Sequence, residues 1–313
     1  MKILVTGSIA YDTIMVFPDR FKNHLLADQL HILNICFLTP EMRREYGGTA
    51  GNIAYNLRLL DEAPLVMATV GEDIEPYLQR FHGLGIGTRH LKRISGQFTA
   101  QAFITTDLDN NQITAFHPGA MNHSHDNHID AALGAGIAII GPDGKDGMLQ
   151  HARECAKHGV PFIFDPGQGV PMFSGAEIAE FLRLADYVAV NDYEGKLLEE
   201  KSGRKLEEIA RGVKALVYTQ GGKGSVIFAQ GERHEVPCVQ ADSVVDPTGC
   251  GDAYRAGLLH GIARGWDWPS TGRLGSVLGA IKIAHRGAQN HAPTRTEIET
   301  RFRDAFGYSP WKG

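Results

Sequence analysis

Short unbroken apolar runs alternate along this chain with longer stretches in which apolar positions recur every three or four residues. The runs at Lys2–Thr6, Leu65–Thr69, Ile137–Ile140, Pro161–Phe164, Tyr187–Val190 and Leu216–Thr219 read as strands. The stretches Ala50–Leu60, Pro76–Leu84, Gly147–His158, Ala176–Leu184, Asp192–Lys201 and Leu206–Gly212 read as helices. Short strands that are apolar throughout are buried on both faces, so the alternation predicts an α/β fold with a mostly parallel sheet sandwiched by helices. Two places break the rhythm with period-two alternation: Asp12–Phe17 with Gln29–Leu38, and Thr99–Thr106 with Gln112–Phe116. The second pair is joined by Asp109-Asn110-Asn111, a hairpin signal. These four segments predict a small, discontinuous β-sheet lid, formed by about 12–45 and 97–118, on a single α/β domain spanning 1–313. Such a lid would stand over the carboxyl ends of the parallel strands, where ligands bind in these folds.

Composition narrows the partners. Hydrophobic residues at 43%, charged residues at 21% and a net charge of −5 describe a globular protein without a basic face, so nucleic acid and membrane surfaces are not expected partners. The longest apolar stretch, Ala131 to Ile140, is about half a membrane span. Four cysteines (Cys36, Cys155, Cys238, Cys250) without CxxC spacing, and an N-terminus that enters a strand at once, point to a cytoplasmic setting.

The chemistry concentrates at strand ends and helix starts. The richest stretch is Asp246-Pro247-Thr248-Gly249-Cys250-Gly251-Asp252, which runs into the apolar helical segment Ala253 to Ala263. Small residues at a helix start leave backbone N–H groups for an anion, and a carboxylate beside them can take a proton from an attacking hydroxyl. A dipole-favoured Asp after a glycine turn explains the same residues. Gly47-Gly48-Thr49-Ala50-Gly51-Asn52 pairs close backbone approach with an amide that can bond a hydroxyl, and Asp12 can accept from a vicinal diol. Asn191 and Glu194 form either an oxygen pair for Mg²⁺ or a capping box. Thr219-Gln220-Gly221-Gly222-Lys223-Gly224 is either a phosphate-cradling loop or a hairpin turn, and it does not fit a Walker A frame. The lid aromatics Phe17, Phe103 and Phe116 either wall in a purine or pack the lid itself.

The order of these motifs resembles the ribokinase (PfkB) family of carbohydrate kinases: Gly-Gly-x-x-x-Asn near residue 50, Asn-x-x-Glu near 190, Thr-x-Gly-x-x-Gly near 220 and Asp-x-Thr-Gly-x-Gly-Asp near 250. The resemblance spans essentially the whole chain and implies a ribokinase-like fold and a kinase that uses ATP and Mg²⁺. It implies that Asp252 is the general base and that the amides of Gly249, Cys250 and Gly251 form the anion hole. By the same token Asn191 and Glu194 position Mg²⁺ through water. Thr219, Gly221 and Gly224 lie beside the ATP phosphates, and Asp12, Gly48 and Asn52 hold sugar hydroxyls. Asp246, Thr248 and the loop after Arg286 fall near the family's monovalent-cation site, which brings in K⁺.

Within the family, Gly7-Ser8-Ile9-Ala10-Tyr11-Asp12, Ala115–Ala120, Phe164–Gln168 and His285–Gln289 are similar to the nucleoside-kinase branch, adenosine kinases especially. Thr49 stands where ribokinases usually show Lys, and Pro247 and Cys250 stand where Thr and Ala are usual. The expectation is phosphorylation of the 5′-hydroxyl of a purine nucleoside, adenosine first, in purine salvage. A sugar kinase of the ribose or fructose type and a non-catalytic nucleoside-binding protein are the alternatives. The expected assembly is a monomer or a lid-mediated homodimer.

Overall fold

A computed structural model describes residues 1–24, 35–109, 111–130 and 133–311. Its larger sheet has nine strands: β1 (Ile3–Thr6), β4 (Leu65–Val70), β5 (Gly87–Arg93), β8 (Ile137–Ile140), β9 (Phe162–Phe164), β10 (Tyr187–Asn191), β11 (Ala215–Thr219), β12 (Ser225–Ala229) and β13 (Glu232–Val236). They lie in the order β13-β12-β11-β10-β9-β8-β1-β4-β5. From β11 to β5 every neighbouring pair is parallel, and β12 and β13 finish the other edge as antiparallel strands.

The all-apolar strands are buried on both faces because each face has its own helical layer. Ile3, Val5, Ile137 and Ile139 point into one core, and Leu4, Ala138 and Ile140 into the other. The first core is covered by α1 (Thr49–Leu59), α2 (Glu75–Leu84), α7 (Cys250–Arg264), α8 (Trp268–Ile283) and α9 (Arg295–Phe306). The second is covered by α3 (Lys145–Lys157), α4 (Gly175–Leu184), α5 (Asp192–Ser202) and α6 (Leu206–Ala210). The six helices and six core strands read from periodicity lie within two residues of these bounds. α8 carries no clear stripe in the sequence. α8 is buried along nearly its whole length, so apolar and small residues surround it on all sides.

The second sheet has four strands, in the order β3 (Glu41–Gly47), β2 (Ala10–Val16), β6 (Ala100–Thr106) and β7 (Gln112–His117). The hairpin read at 109–111 joins β6 and β7, with the Asp107 carboxylate accepting from the amides of Asp109 (2.9 Å) and Asn111 (2.8 Å). The strand read at Gln29–Leu38 is corrected: the partner of β2 is Glu41–Gly47, residues 35–38 join no ladder, and 29–34 lie outside the described residues. The reason is exposure. β3 is an edge strand of Glu, Arg and Met that shows no apolar alternation, whereas the pattern-rich Phe37 packs into an aromatic cluster. Among the described residues no helix is long and apolar enough to cross a membrane.

The second core centres on Phe164, whose ring stacks on Phe181 at 4.2 Å between centroids, both side chains being wholly buried. Phe164→Ala is expected to cost about 3–5 kcal/mol of stability. A lowered urea midpoint followed by circular dichroism checks it, and an unchanged midpoint would contradict this packing.

Candidate active site

The motifs reach one rim by different routes: Asn191 and Thr219 end the parallel strands β10 and β11, Gly47–Asn52 enters α1 from the antiparallel β3, and Gly249–Asp252 opens α7 after the loop that follows β13. β10 ends at Asn191 and α5 begins there. The Asn191 Oδ1 accepts from the Glu194 amide at 2.8 Å, and Glu194 Oε2 accepts from the Asn191 amide at 2.8 Å. The capping box therefore forms, and it fixes Glu194 at the rim. β9 ends one residue before Asp165, and α7 starts at Cys250 behind Gly249.

Gly249 adopts φ +79°, and a Cβ there would lie 2.8 Å from the Ala288 Cβ, so the turn requires glycine for conformation and for space. The Cys250 amide closes this turn on the Pro247 carbonyl at 3.1 Å. Among the described residues the Gly249, Gly251 and Asp252 amides meet no acceptor, so of the three amides of Gly249, Cys250 and Gly251 only the Cys250 amide is engaged.

One turn into α7, Arg255 is buried with its guanidinium forked onto Asp165 (3.2 and 3.1 Å) and within 3.7 Å of Glu194. Asp252 lies beside the same group. Three carboxyls thus share one guanidinium, with Asp165 and Glu194 buried and Asp252 at the edge of the cleft. Burial foremost, with Asp165 and Glu194 adding repulsion, pushes Asp252 up to about 7, against the pull of Asn52 and Arg255. Burial and Asp165 also raise Glu194, and its neighbours hold Arg255 firmly charged.

A buried amide chain reaches Asp252 from the other side. Asn52 Nδ2 donates to Asp252 Oδ2 at 2.8 Å. Gln289 Nε2 donates to Asn52 Oδ1 (3.0 Å) and to the Tyr77 hydroxyl (2.7 Å), which in turn donates to the Gly47 carbonyl at 2.7 Å. Asn52 therefore faces Asp252, and the chain ties it to the end of β3 in the small sheet. Gly48, at φ +83°, lets this loop pass over β1–β2: a Cβ would lie 2.5 Å from the Ser8 carbonyl oxygen.

Asp12 sits on β2 across from Glu45 and Ala102, and Ala102 is paired with Phe116, so these four share one face of the small sheet. Phe103 pairs with Thr13 and Ala115 and lies on the opposite face, with Arg44 and Tyr11. Phe17 is buried against Phe21 (5.9 Å) and Phe37 (4.8 Å). Burial, then Asp246 and Glu45, pushes Asp12 up to about 6, which places it near the Asp246 turn.

On the far side of α7 a cavity of about 360 Å³ is lined by Thr219, Gly221 and Gly224 together with Cys250 and Gly251, with Val239, Val244, Ala280 and Ile283 as apolar walls. A Cβ at Gly221 or Gly222 would meet nothing within 4 Å, so the loop leaves open room above its backbone. The glycine loop and the Gly249 turn thus border one cavity with an apolar end and a donor-rich end, the shape a nucleotide requires. Among the described residues no three His, Cys, Asp or Glu side chains converge as metal ligands. The acidic rim fits a divalent ion held through waters and phosphate oxygens rather than in a protein cage.

Sequence reading missed Arg255, Tyr77 and Lys282 and assigned Asp165 and Gln289 no role. The signal for two of them was present: a lone cation within an apolar helical run, as at Arg255 and Lys282, needs a buried partner.

This rim belongs to a kinase. The sequence matches the pfkB family carbohydrate kinase over residues 9–295, and the chain belongs to that family, whose members transfer a phosphoryl group from ATP to an alcohol. It is 30% identical over 270 residues to a nucleoside kinase of Methanocaldococcus jannaschii, covering 86% of this chain and 89% of that protein. The structure of Burkholderia thailandensis nucleoside kinase in complex with inosine superposes with a TM-score of 0.90 at 53% identity, covering 99% of this chain and 100% of that one. The same enzyme in complex with ADP-inosine gives a TM-score of 0.88 at 54% identity, covering 99% and 98%.

The Asn52 donor favours the ionised form of Asp252, so its removal must raise that group further. Asn52→Leu is expected to move the Asp252 titration above about 7, as read by ¹³C NMR of the side-chain carboxyl. A titration that stays in place or falls would refute the coupling.

Proposed function

We propose that this protein is a Mg·ATP-dependent purine nucleoside 5′-kinase, with Asp252 as the general base. The observation that carries the reading is the placement of Asp252: a carboxylate raised to about 7, beside free helix-start amides, between the nucleotide-shaped cavity and the Asn52 side of the cleft. At neutral pH about half of such a group is ionised and able to accept a proton. Asp252 takes the proton of the 5′-hydroxyl as its oxygen attacks the γ-phosphorus, and the bond from that phosphorus to the β–γ bridging oxygen breaks to leave ADP. The Gly249 and Gly251 amides, at the positive end of the α7 dipole, hold the oxygens of the phosphoryl in transit. Thr219, Gly221 and Gly224 border the remaining phosphates. Mg²⁺ bound to the nucleotide supplies charge neutralisation there, and Asn191 and Glu194 would hold its water shell.

For the acceptor, Asp12 and Asn52 take ribose hydroxyls, Gly48 brings the loop backbone close, and Phe116 walls the base from the Asp12 face. The small sheet of β2, β3, β6 and β7 closes over this pocket and excludes water. Support for a nucleoside over a free sugar comes from this exposed aromatic on the Asp12 face and from the inosine complex of the 53%-identical relative. Adenosine and inosine are the leading acceptors, with salvage of nucleosides to monophosphates as the physiological role.

The first test is a panel of adenosine, inosine, guanosine, ribose and fructose with Mg·ATP, following ADP release. Purine nucleosides are expected to exceed both sugars by at least ~10²-fold in kcat/KM, and preference for a sugar would overturn the acceptor assignment. Asp252→Asn should lower kcat at least ~10²-fold while ADP binding by calorimetry stays close to wild type. Because the protonated acid cannot accept a proton, kcat/KM should fall as pH drops through about 7, approaching ~10-fold per pH unit, and level off above it. A profile flat from pH 5 to 9 would remove Asp252 as the base.

A further inference from the structure

Lys282 lies in the last turn of α8, wholly buried, and its ammonium donates to two main-chain carbonyls, that of Asp246 at 2.7 Å and that of His285 at 3.0 Å. The first belongs to the loop that leads into the Gly249 turn, the second to the loop that follows α8. The same two loops are joined again by the Asp246 carboxylate, which accepts from the amides of Thr248 (2.9 Å) and Gly287 (2.8 Å). Gly249 in turn packs directly on Ala288. The turn that carries the free amides and Asp252 therefore rests on a platform of two loops, and one buried ammonium binds carbonyls of both.

An ammonium on carbonyl oxygens, with the Asp246 carboxylate nearby, supplies what a dehydrated monovalent cation would supply: one positive charge and several oxygen contacts at fixed places. The resemblance to sugar kinases implies K⁺ near Asp246, Thr248 and the loop after Arg286. The donor set there does not fit an added K⁺, because these carbonyl oxygens already hold a cation and a second one would meet its repulsion.

We propose that Lys282 is a tethered cation that takes the place of an exchangeable K⁺ beneath the phosphoryl-binding turn, and that it positions that turn for catalysis. This rests on the phosphoryl-transfer role proposed for the Gly249–Asp252 turn. The wild-type enzyme accordingly needs no monovalent cation, and the need appears when the lysine is removed.

The test replaces N-methylglucamine by K⁺ at constant ionic strength. Wild-type kcat should change by less than about twofold. Lys282→Ala, which opens room for an ion, should lose at least ~10-fold in kcat and regain most of it with K⁺ or NH₄⁺. Its Tm should also rise with K⁺, while that of the wild type does not. Lys282→Met keeps the stem and fills the space, so it should lose turnover without rescue. Severalfold activation of the wild type by K⁺ would overturn the proposal, as would a folded Lys282→Ala variant whose kcat and Tm both ignore K⁺. Equal rescue of Lys282→Met would mark a general salt effect and overturn it too. If Lys282→Ala does not fold, the wild-type titration decides alone. Failure of the underlying role reads differently, as an active Asp252→Asn enzyme.

Discussion

The buried guanidinium of Arg255 is the constraint on which the rest of the site depends. It sits one turn into α7 and reaches Asp165 after β9 and Glu194 in the first turn of α5, so it pins three separate segments to one point of the rim. Taking these charges out of water costs several kcal/mol for each ion, and only the forked geometry to Asp165, the Asn191 cap on Glu194 and the mutual attraction offset it. What remains is an acidic surplus. Burial first, and that surplus second, raise Asp252 to about 7, and the surplus fits a divalent ion carried on phosphates.

The sheet explains why such a cluster forms at this end. Parallel strands deliver their carboxyl ends to one side, and several of them, β4, β8 and β10 among them, lead straight into a helix, so cap residues and strand-end carboxylates accumulate there without any one segment encoding the assembly. Two cores, one on each face, hold the strand ends in register. The apolar layers resist deformation, while the rim carries the glycine turn and the buried charge.

In the proposed reading the small sheet makes the acceptor side. Its register puts Asp12 and Phe116 on one face and Phe103 on the other, and the Tyr77–Gln289–Asn52 chain joins its end at Gly47 to Asp252. The position of that sheet is thus coupled by hydrogen bonds to Asp252. A polar chain with every bond made is rigid, and one with a bond broken leaves a buried group unpaired, so the geometry around Asp252 is sharply defined.

Local chemistry was written into the sequence wherever a residue's role depends on its near neighbours. Apolar runs and three-to-four periodicity mark strands and helices because burial follows spacing, and the glycine turn before Asp252 announces a helix start. The Asn191–Glu194 cap was legible for the same reason, since both partners lie within one turn. Other features were decided only by the tertiary structure. The edge strand Glu41–Gly47 is charged and takes its conformation from β2, so no alternation betrays it. Arg255 meets Asp165 ninety residues away, Asn52 meets Asp252 two hundred away, and Lys282 meets a carbonyl of the Asp246 loop. A lone buried cation in a sequence says that a partner exists. Which carboxylate or carbonyl it finds depends on how the two layers close on the sheet, because the energy of such a pair resides in distance and burial, neither of which a linear spacing contains.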